Sequence, residues 1–217
     1  MKHITIHALL LLTAAFCSSA VAGEQKRVAI TIDDVPFLAT TPISAEAAAA
    51  LNHTILEKLK RYNVKAVGFV NEDRLLVSGK IDIGVAILDE LLGAGMELGN
   101  HNFGHIGLWK SSLAENQDAV LKGEVLTRWA SARNGSPLRY YRHPYTQTGK
   151  NEDEKQAFEN FLVSHGYTVA PFTMEHDDYV FSCVYERLPA RGLEGDAQRA
   201  IVISEYDAHL RRSVATF

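Results

Sequence analysis

The chain alternates short apolar runs with longer stretches of helical periodicity. Val28, Ala29, Ile30 and Ile32 form a run rich in β-branched residues, which predicts a buried strand that delivers Asp33 and Asp34 to its end, just before Pro36. Ser44 is placed to cap a helix running through an alanine-rich segment to Arg61, with Leu51, Ile55, Leu56 and Leu59 on one face and Asn63 as the breaker. Residues 64–70 read as a second strand, followed by the polar Asn71-Glu72-Asp73. Apolar residues on nearly every turn of 81–92 predict a helix stopped by Gly93 and Gly95. A short third strand, 96–100, runs straight into His101-Asn102-Phe103-Gly104-His105. One long helix is expected over 112–132, with Leu113, Val120, Leu121, Val125, Leu126 and Trp129 on its apolar side, ended by Asn134-Gly135-Ser136-Pro137. A fourth strand, 138–141, delivers Arg142-His143-Pro144-Tyr145. A helix over 151–164 and a fifth strand over 167–172 lead to Glu175-His176-Asp177-Asp178-Tyr179, and 196–213 reads as a last helix.

Strand and helix in near-regular alternation predict an α/β fold, a parallel sheet with helices packed outside it. No linker or low-complexity segment divides the chain. Each polar cluster follows directly after a predicted strand, so all of them converge on one rim, where enzymes of this architecture place their chemistry. Adjacent carboxylates at a strand end more often merely solubilise the junction. Their company here favours chemistry.

A chain of 217 residues with a globular composition can bury one sizeable core, and a net charge of −4 with no lysine or arginine block offers no footprint for nucleic acid. Lys2, the apolar stretch from Ala8 to Phe16, and Ala20-Val21-Ala22 before Gly23 predict a cleaved signal peptide over 1–22 and export to the periplasm or beyond the cell. That stretch is too short for a stable membrane span. Phe16 before Cys17 is wrong for lipoprotein processing. Cleavage after Ala22 leaves Cys183 as the one cysteine, so no internal disulfide is expected.

Two histidines separated by three residues, joined by a carboxylate from elsewhere, can give a divalent metal three ligands and leave a position open for water. Asp34, His101 and His105 would be that set, with zinc as the expected ion. The neighbouring Asp33 is placed to act as general base. A lone pair of histidines at this spacing is weak evidence, since loop histidines with ordinary hydrogen bonds share it.

Four segments in this order, Thr31-Ile32-Asp33-Asp34, His101-Asn102-Phe103-Gly104-His105, Arg142-His143-Pro144-Tyr145 and Asp177-Asp178-Tyr179, resemble the polysaccharide deacetylases, the NodB-type carbohydrate esterases. The resemblance covers the chain from about Arg27 to Phe217. It implies a distorted (β/α) barrel, incomplete at the C-terminus, whose catalytic domain spans 23–217 and which removes acetyl groups from N-acetylated sugars. It assigns Asp34, His101 and His105 to the metal and Asp33 to the base, in agreement with the reading above. It further implies that Arg142 orients Asp33, that the Tyr145 backbone N–H supports the oxyanion, that Asp178 contacts Arg142, and that Tyr179 forms an aromatic wall against the sugar.

Three departures accompany the resemblance. Tyr179 stands where the family has tryptophan, and Asn102 where it often has serine or threonine. The family's late Leu-x-His, which supplies a general acid, has no counterpart; His209 is the one late candidate, in a helical stretch that predicts a solvated position. The expectation is an exported, zinc-dependent hydrolase of non-peptide C–N bonds acting on an N-acetylated glycan. Two alternatives stand beside it: a metal- or glycan-binding remnant without turnover, and an amidase for a non-sugar amide. His143 is expected to pack or hydrogen-bond, and Trp109 and Trp129 to lie in the core or on the rim.

Overall fold

A computed structural model describes residues 27–37, 42–189 and 192–216. The predicted signal peptide lies outside the described residues. Five strands, β1 (Ile30–Val35), β2 (Ala66–Val70), β3 (Glu97–Asn100), β4 (Tyr140–Tyr141) and β5 (Thr168–Val169), form one parallel sheet in sequential order. Sequential order with helical crossovers is the winding of a β/α wall, in which every strand ends on the same rim. The crossovers are α1 (Ala45–Arg61), α2 (Ile81–Gly93), α3 (Leu113–Lys122) with α4 (Val125–Arg133), and α5 (Glu152–Ser164). Val70, Leu88, Leu98, Tyr141, Phe158 and Leu162 are buried between sheet and helices.

Ser44 accepts a hydrogen bond from the Ala47 N–H at 3.2 Å and starts α1 as predicted. Asn52, buried on that helix, donates to the Pro36 carbonyl and so ties α1 to the exit of β1. The first strand is less buried than its apolar run suggests. Val28 is 77% and Ile30 40% exposed, because β1 is an edge strand among the described residues and has a neighbour on one side only.

The polar segment after β2 forms a 3-10 helix, Glu72–Gly79. One further expectation needs correction: the single helix over 112–132 is two. A capping box at Ser112 and Glu115 opens α3, which stops at Gly123. A Cβ on Gly123 would lie 2.8 Å from both the Asn102 carbonyl carbon and the Phe103 nitrogen, so the turn closes against the backbone of the histidine loop. The chain then restarts as α4 because the buried Glu72 carboxylate accepts the Leu126 N–H at 2.7 Å, the Thr127 N–H at 3.0 Å and the Thr127 hydroxyl at 2.8 Å. This break turns Val125 and Trp129, expected on the apolar side, largely outward.

Beyond β5 the chain forms α6 (Asp178–Arg187), which the apolar pattern did not suggest, and α7 (Leu193–Ala215), which begins three residues earlier than predicted. These two helices pack on each other, with the rings of Phe181 and Tyr206 5.2 Å apart.

Candidate metal centre

The first two carboxylates reach the rim through a bulge. β1 pairs with β2 in one register through Ile32 opposite Gly68, then skips a residue before Val35 pairs with Val70. In a regular strand, successive side chains point to opposite faces. The bulge at Asp33-Asp34, with Asp34 at φ 60°, re-aims them so that each finds a partner at the same rim.

The histidine loop is shaped by asparagines. Asn102 sits at φ 56°, Gly104 at 80° and His105 at 49°, a tight left-handed path that returns His105 toward His101. The Asn102 amide closes this path, donating to the Ile106 carbonyl at 2.8 Å and accepting the Ile106 N–H at 3.1 Å. Asn100 accepts the Asn102 N–H at 2.7 Å, and the buried Asn71 amide donates to the His101 and Asn102 carbonyls at 2.9 and 3.3 Å. The two imidazole centroids end 4.9 Å apart.

Asp34, His101 and His105 each offer a ligand atom within 4.8 Å of the others. His101 is almost fully buried, and its Nδ1 lies 2.8 Å from the Arg142 carbonyl oxygen. A carbonyl only accepts, so Nδ1 carries the proton and Nε2 is left as the donor atom for a metal. Burial pushes both imidazoles below their ordinary pKa, which keeps them neutral near pH 7 and able to coordinate. Asp34 Oδ1 sits 3.6 Å from His105 Nε2 and accepts a hydrogen bond from Arg74 Nη1 at 3.0 Å. Two neutral nitrogens and one carboxylate in a half-buried pocket are a donor set that fits a divalent ion such as zinc.

Asp33 has a different environment. Arg142 Nη1 approaches its two carboxylate oxygens at 3.2 and 3.1 Å. The guanidinium is itself buried and fully engaged: Nε donates to the Ala170 carbonyl at 2.6 Å and Nη2 to the Thr31 hydroxyl at 3.4 Å. Phe69 and Phe172 flank it, with centroids 4.5 and 4.9 Å from the guanidinium carbon. Asp33 stays about one-third exposed. One aspartate therefore faces the ligand set and the other faces an arginine and solvent.

Tyr145 lies beside the same rim at φ 55°, its ring 4.4 Å from that of His105. Asp178 does not join it. Among the described residues no hydrogen bond or ion pair links Asp178 to Arg142; it accepts the N–H of Tyr179 at 2.8 Å and opens α6, and the Ala170 carbonyl fills the place on the arginine. Tyr179 is 57% exposed on that helix. His209 is not a solvated helix residue but lies against Phe181, its Nε2 3.3 Å from Asp177 Oδ2 and off the line of a hydrogen bond. Sequence reasoning missed Arg74, Asn71 and Phe69. Arg74 follows β2 on the same rim as every other cluster, a signal that was available.

Residues 20–170 match the family model described as polysaccharide deacetylase. That span takes in β1 to β5 and ends before Asp177. A peptidoglycan-N-acetylglucosamine deacetylase of Bacillus cereus is 30% identical over 141 residues, 64% of this chain and 44% of that protein. The chain thus spans less than half the length of that curated relative. Among solved structures, the polysaccharide deacetylase Bc1974 from Bacillus cereus matches with a TM-score of 0.56 at 18% identity, over 87% of this chain and 71% of that one. The peptidoglycan deacetylase PdaC from Bacillus subtilis matches with a TM-score of 0.51 at 21% identity, over 85% of each chain. These structures share the fold of this chain, the distorted (β/α) barrel type.

Proposed function

Because the chain belongs to the polysaccharide deacetylase family, we propose that it is a metal-dependent hydrolase of non-peptide C–N bonds that removes acetyl groups from an N-acetylated glycan. The observation that carries this reading is the separation of two adjacent carboxylates into different partnerships, Asp34 with the histidines and Asp33 with Arg142. Asp34, His101 and His105 would hold the ion, for which we propose zinc. When bound it supplies Lewis acidity toward the amide carbonyl and toward water.

Asp33 accepts the proton of the attacking water on a carboxylate oxygen, and Arg142 holds that carboxylate in one orientation. The Tyr145 backbone N–H supports the charge that develops on the carbonyl oxygen, a kind of donor worth ~3 kcal/mol. The water oxygen bonds to the carbonyl carbon, the C–N bond breaks, and the proton held by Asp33 passes to the departing amine. Tyr179 enters this proposal only as the aromatic wall of the groove, and Asp178 has no part in it. The catalytic domain would begin after residue 22 and work beyond the cytoplasmic membrane. The B. cereus relative, by its printed name, acts on peptidoglycan N-acetylglucosamine. No helix among the described residues is long and apolar enough to cross a membrane.

The test is acetate release from N-acetylglucosamine oligomers by the purified protein, with and without zinc, beside His101→Ala. Zinc-dependent release that the substitution abolishes supports the proposal. Stoichiometric zinc binding without release from oligomers or simple acetamides would leave a binding remnant in its place, and release from acetamides alone would move the substrate away from sugars.

A further inference from the structure

Outside the ligand set, the rim carries a second feature that the catalytic reading leaves unused. The histidine loop continues through Gly107 to Ser111, and the chain after β4 continues from Tyr145 to Lys150. Three hydrogen bonds stitch these segments together. Gln147 Oε1 accepts the Trp109 backbone N–H at 2.9 Å, the Trp109 indole Nε1–H donates to the Gly149 carbonyl at 3.3 Å, and Lys150 Nζ donates to the Ser111 carbonyl at 3.1 Å. The segments also touch at Gly107, where a Cβ would lie 3.0 Å from the Tyr145 ring. Gly149 is fixed in turn, since a Cβ there would meet the Lys155 nitrogen at 2.7 Å on the first turn of α5.

Trp109 is nevertheless 63% exposed, and Tyr145, on the segment to which it is tied, is 62% exposed. Scattered exposed apolar residues need no explanation. A tryptophan tethered both through its backbone and through its ring nitrogen yet largely exposed, on segments that also carry an exposed tyrosine, is a different case. The tether contributes nothing to the core. It removes rotamer freedom in advance, and that lowers the entropic cost of binding a flat apolar face. The groups that tie the two segments together, the Gln147 amide, the Lys150 ammonium and the Ser111 carbonyl, are polar and carry a single formal charge, which suits a neutral ring with hydroxyls at its edge.

We propose that Trp109 is a sugar platform for a residue of the glycan chain adjacent to the one held at the ligand set, so that the site recognises an oligosaccharide and not a single amino sugar. This rests on the glycan reading of the same rim. The C–H face of one pyranose packs on the indole while the neighbouring residue packs against Tyr145 beside His105.

The experiment measures binding and turnover separately. The protein, treated with chelator, is titrated with N-acetylglucosamine and with its tetramer, as wild type, Trp109→Ala and Trp109→Phe. The tetramer Kd is expected to rise about tenfold in Trp109→Ala and to recover partly in Trp109→Phe, with the monosaccharide Kd the same in all three. Trp129→Phe leaves Trp109 as the one remaining tryptophan of two. Its fluorescence should change on addition of tetramer. Tetramer affinity equal to wild type in Trp109→Ala, or no fluorescence change in Trp129→Phe at saturating tetramer, overturns the inference. Acetate release by the wild type reads the catalytic proposal independently. Its absence alongside an intact tetramer response would remove the catalytic reading and leave the platform standing.

Discussion

His143 gives the fold a calculable sensitivity to acid. The imidazole is buried with its ring 5.1 Å from that of Tyr141 and 5.5 Å from that of Phe158, and its Nε2 has no hydrogen-bond partner among the described residues. Burial lowers its pKa from the ordinary 6.5 to about 4, although a backbone hydrogen bond with Gln147 opposes the shift. The unfolded chain therefore takes up this proton below pH 6.5, whereas the folded chain takes it only near pH 4. Between those values the unfolded state binds more protons, so stability falls as pH falls; above pH 6.5 the group contributes nothing to the slope. At pH 5 the loss from this one group is ~2 kcal/mol, and below pH 4 it approaches ~3 kcal/mol. Phenylalanine fits the same aromatic surroundings and cannot titrate. His143→Phe should cost ~1 kcal/mol at pH 7 for the Gln147 hydrogen bond and then lose ~2 kcal/mol less than wild type between pH 7 and 5. Urea unfolding of both proteins at the two pH values, with chelator present so that metal linkage does not enter, reads this difference directly. His101 and His105 titrate in both proteins and cancel. Equal losses in the two proteins would refute the reasoning, because the imidazole would then be hydrated in the folded state.

Three further outcomes follow from the site. Asp33→Asn keeps an acceptor for Arg142 but removes the proton acceptor, so acetate release should fall ~10²–10⁴-fold with zinc still bound; turnover above a tenth of wild type would clear Asp33 of the role. Arg74→Gln removes a cation 3.0 Å from Asp34 Oδ1. At an effective dielectric near ~20, such a charge repels a bound divalent ion by several kcal/mol, more than the ~1 kcal/mol of orientation it supplies, so zinc affinity in a chelator competition should rise. Weaker binding would mean that orientation of the carboxylate dominates. Gly123→Ala, a change that ordinarily favours a helix by ~0.5–1 kcal/mol, should here cost ~1–3 kcal/mol and weaken zinc binding, because the new methyl meets the Asn102-Phe103 backbone at 2.8 Å. A raised Tm with unaltered zinc affinity would show that the loop yields freely.

The parts of the site that were legible in the sequence and the parts that were not differ in kind. Asp33 and Asp34 lie at the end of a strand, His101, His105 and Arg142 follow one, and strand ends can be found from apolar runs, so their convergence was readable before any distance was known. Their exact aim was not. Asp33 and Asp34 reach one rim only because a residue is skipped between Ile32 and Val35, and apolar periodicity carries no mark of a bulge. The break at Gly123 was hidden for a similar reason: apolar residues continue past it, and the turn closes on the Asn102-Phe103 backbone, about twenty positions earlier in the chain, which a Cβ at 123 would meet at 2.8 Å. What sets the chemistry of each side chain is harder still to read. The tautomer of His101 is fixed by the carbonyl of Arg142, the orientation of Arg142 by the carbonyl of Ala170, and the return of the histidine loop by the carbonyl of Ile106. Every residue type offers a carbonyl, so none of these three acceptors has a sequence signature. The ligands of such a site are written in residue identities, while their protonation and aim are written in backbone path. The asparagines at 71, 100 and 102 are where the two meet, since their amides fasten that path with side chains, and a substitution there should disturb the metal site without touching a ligand.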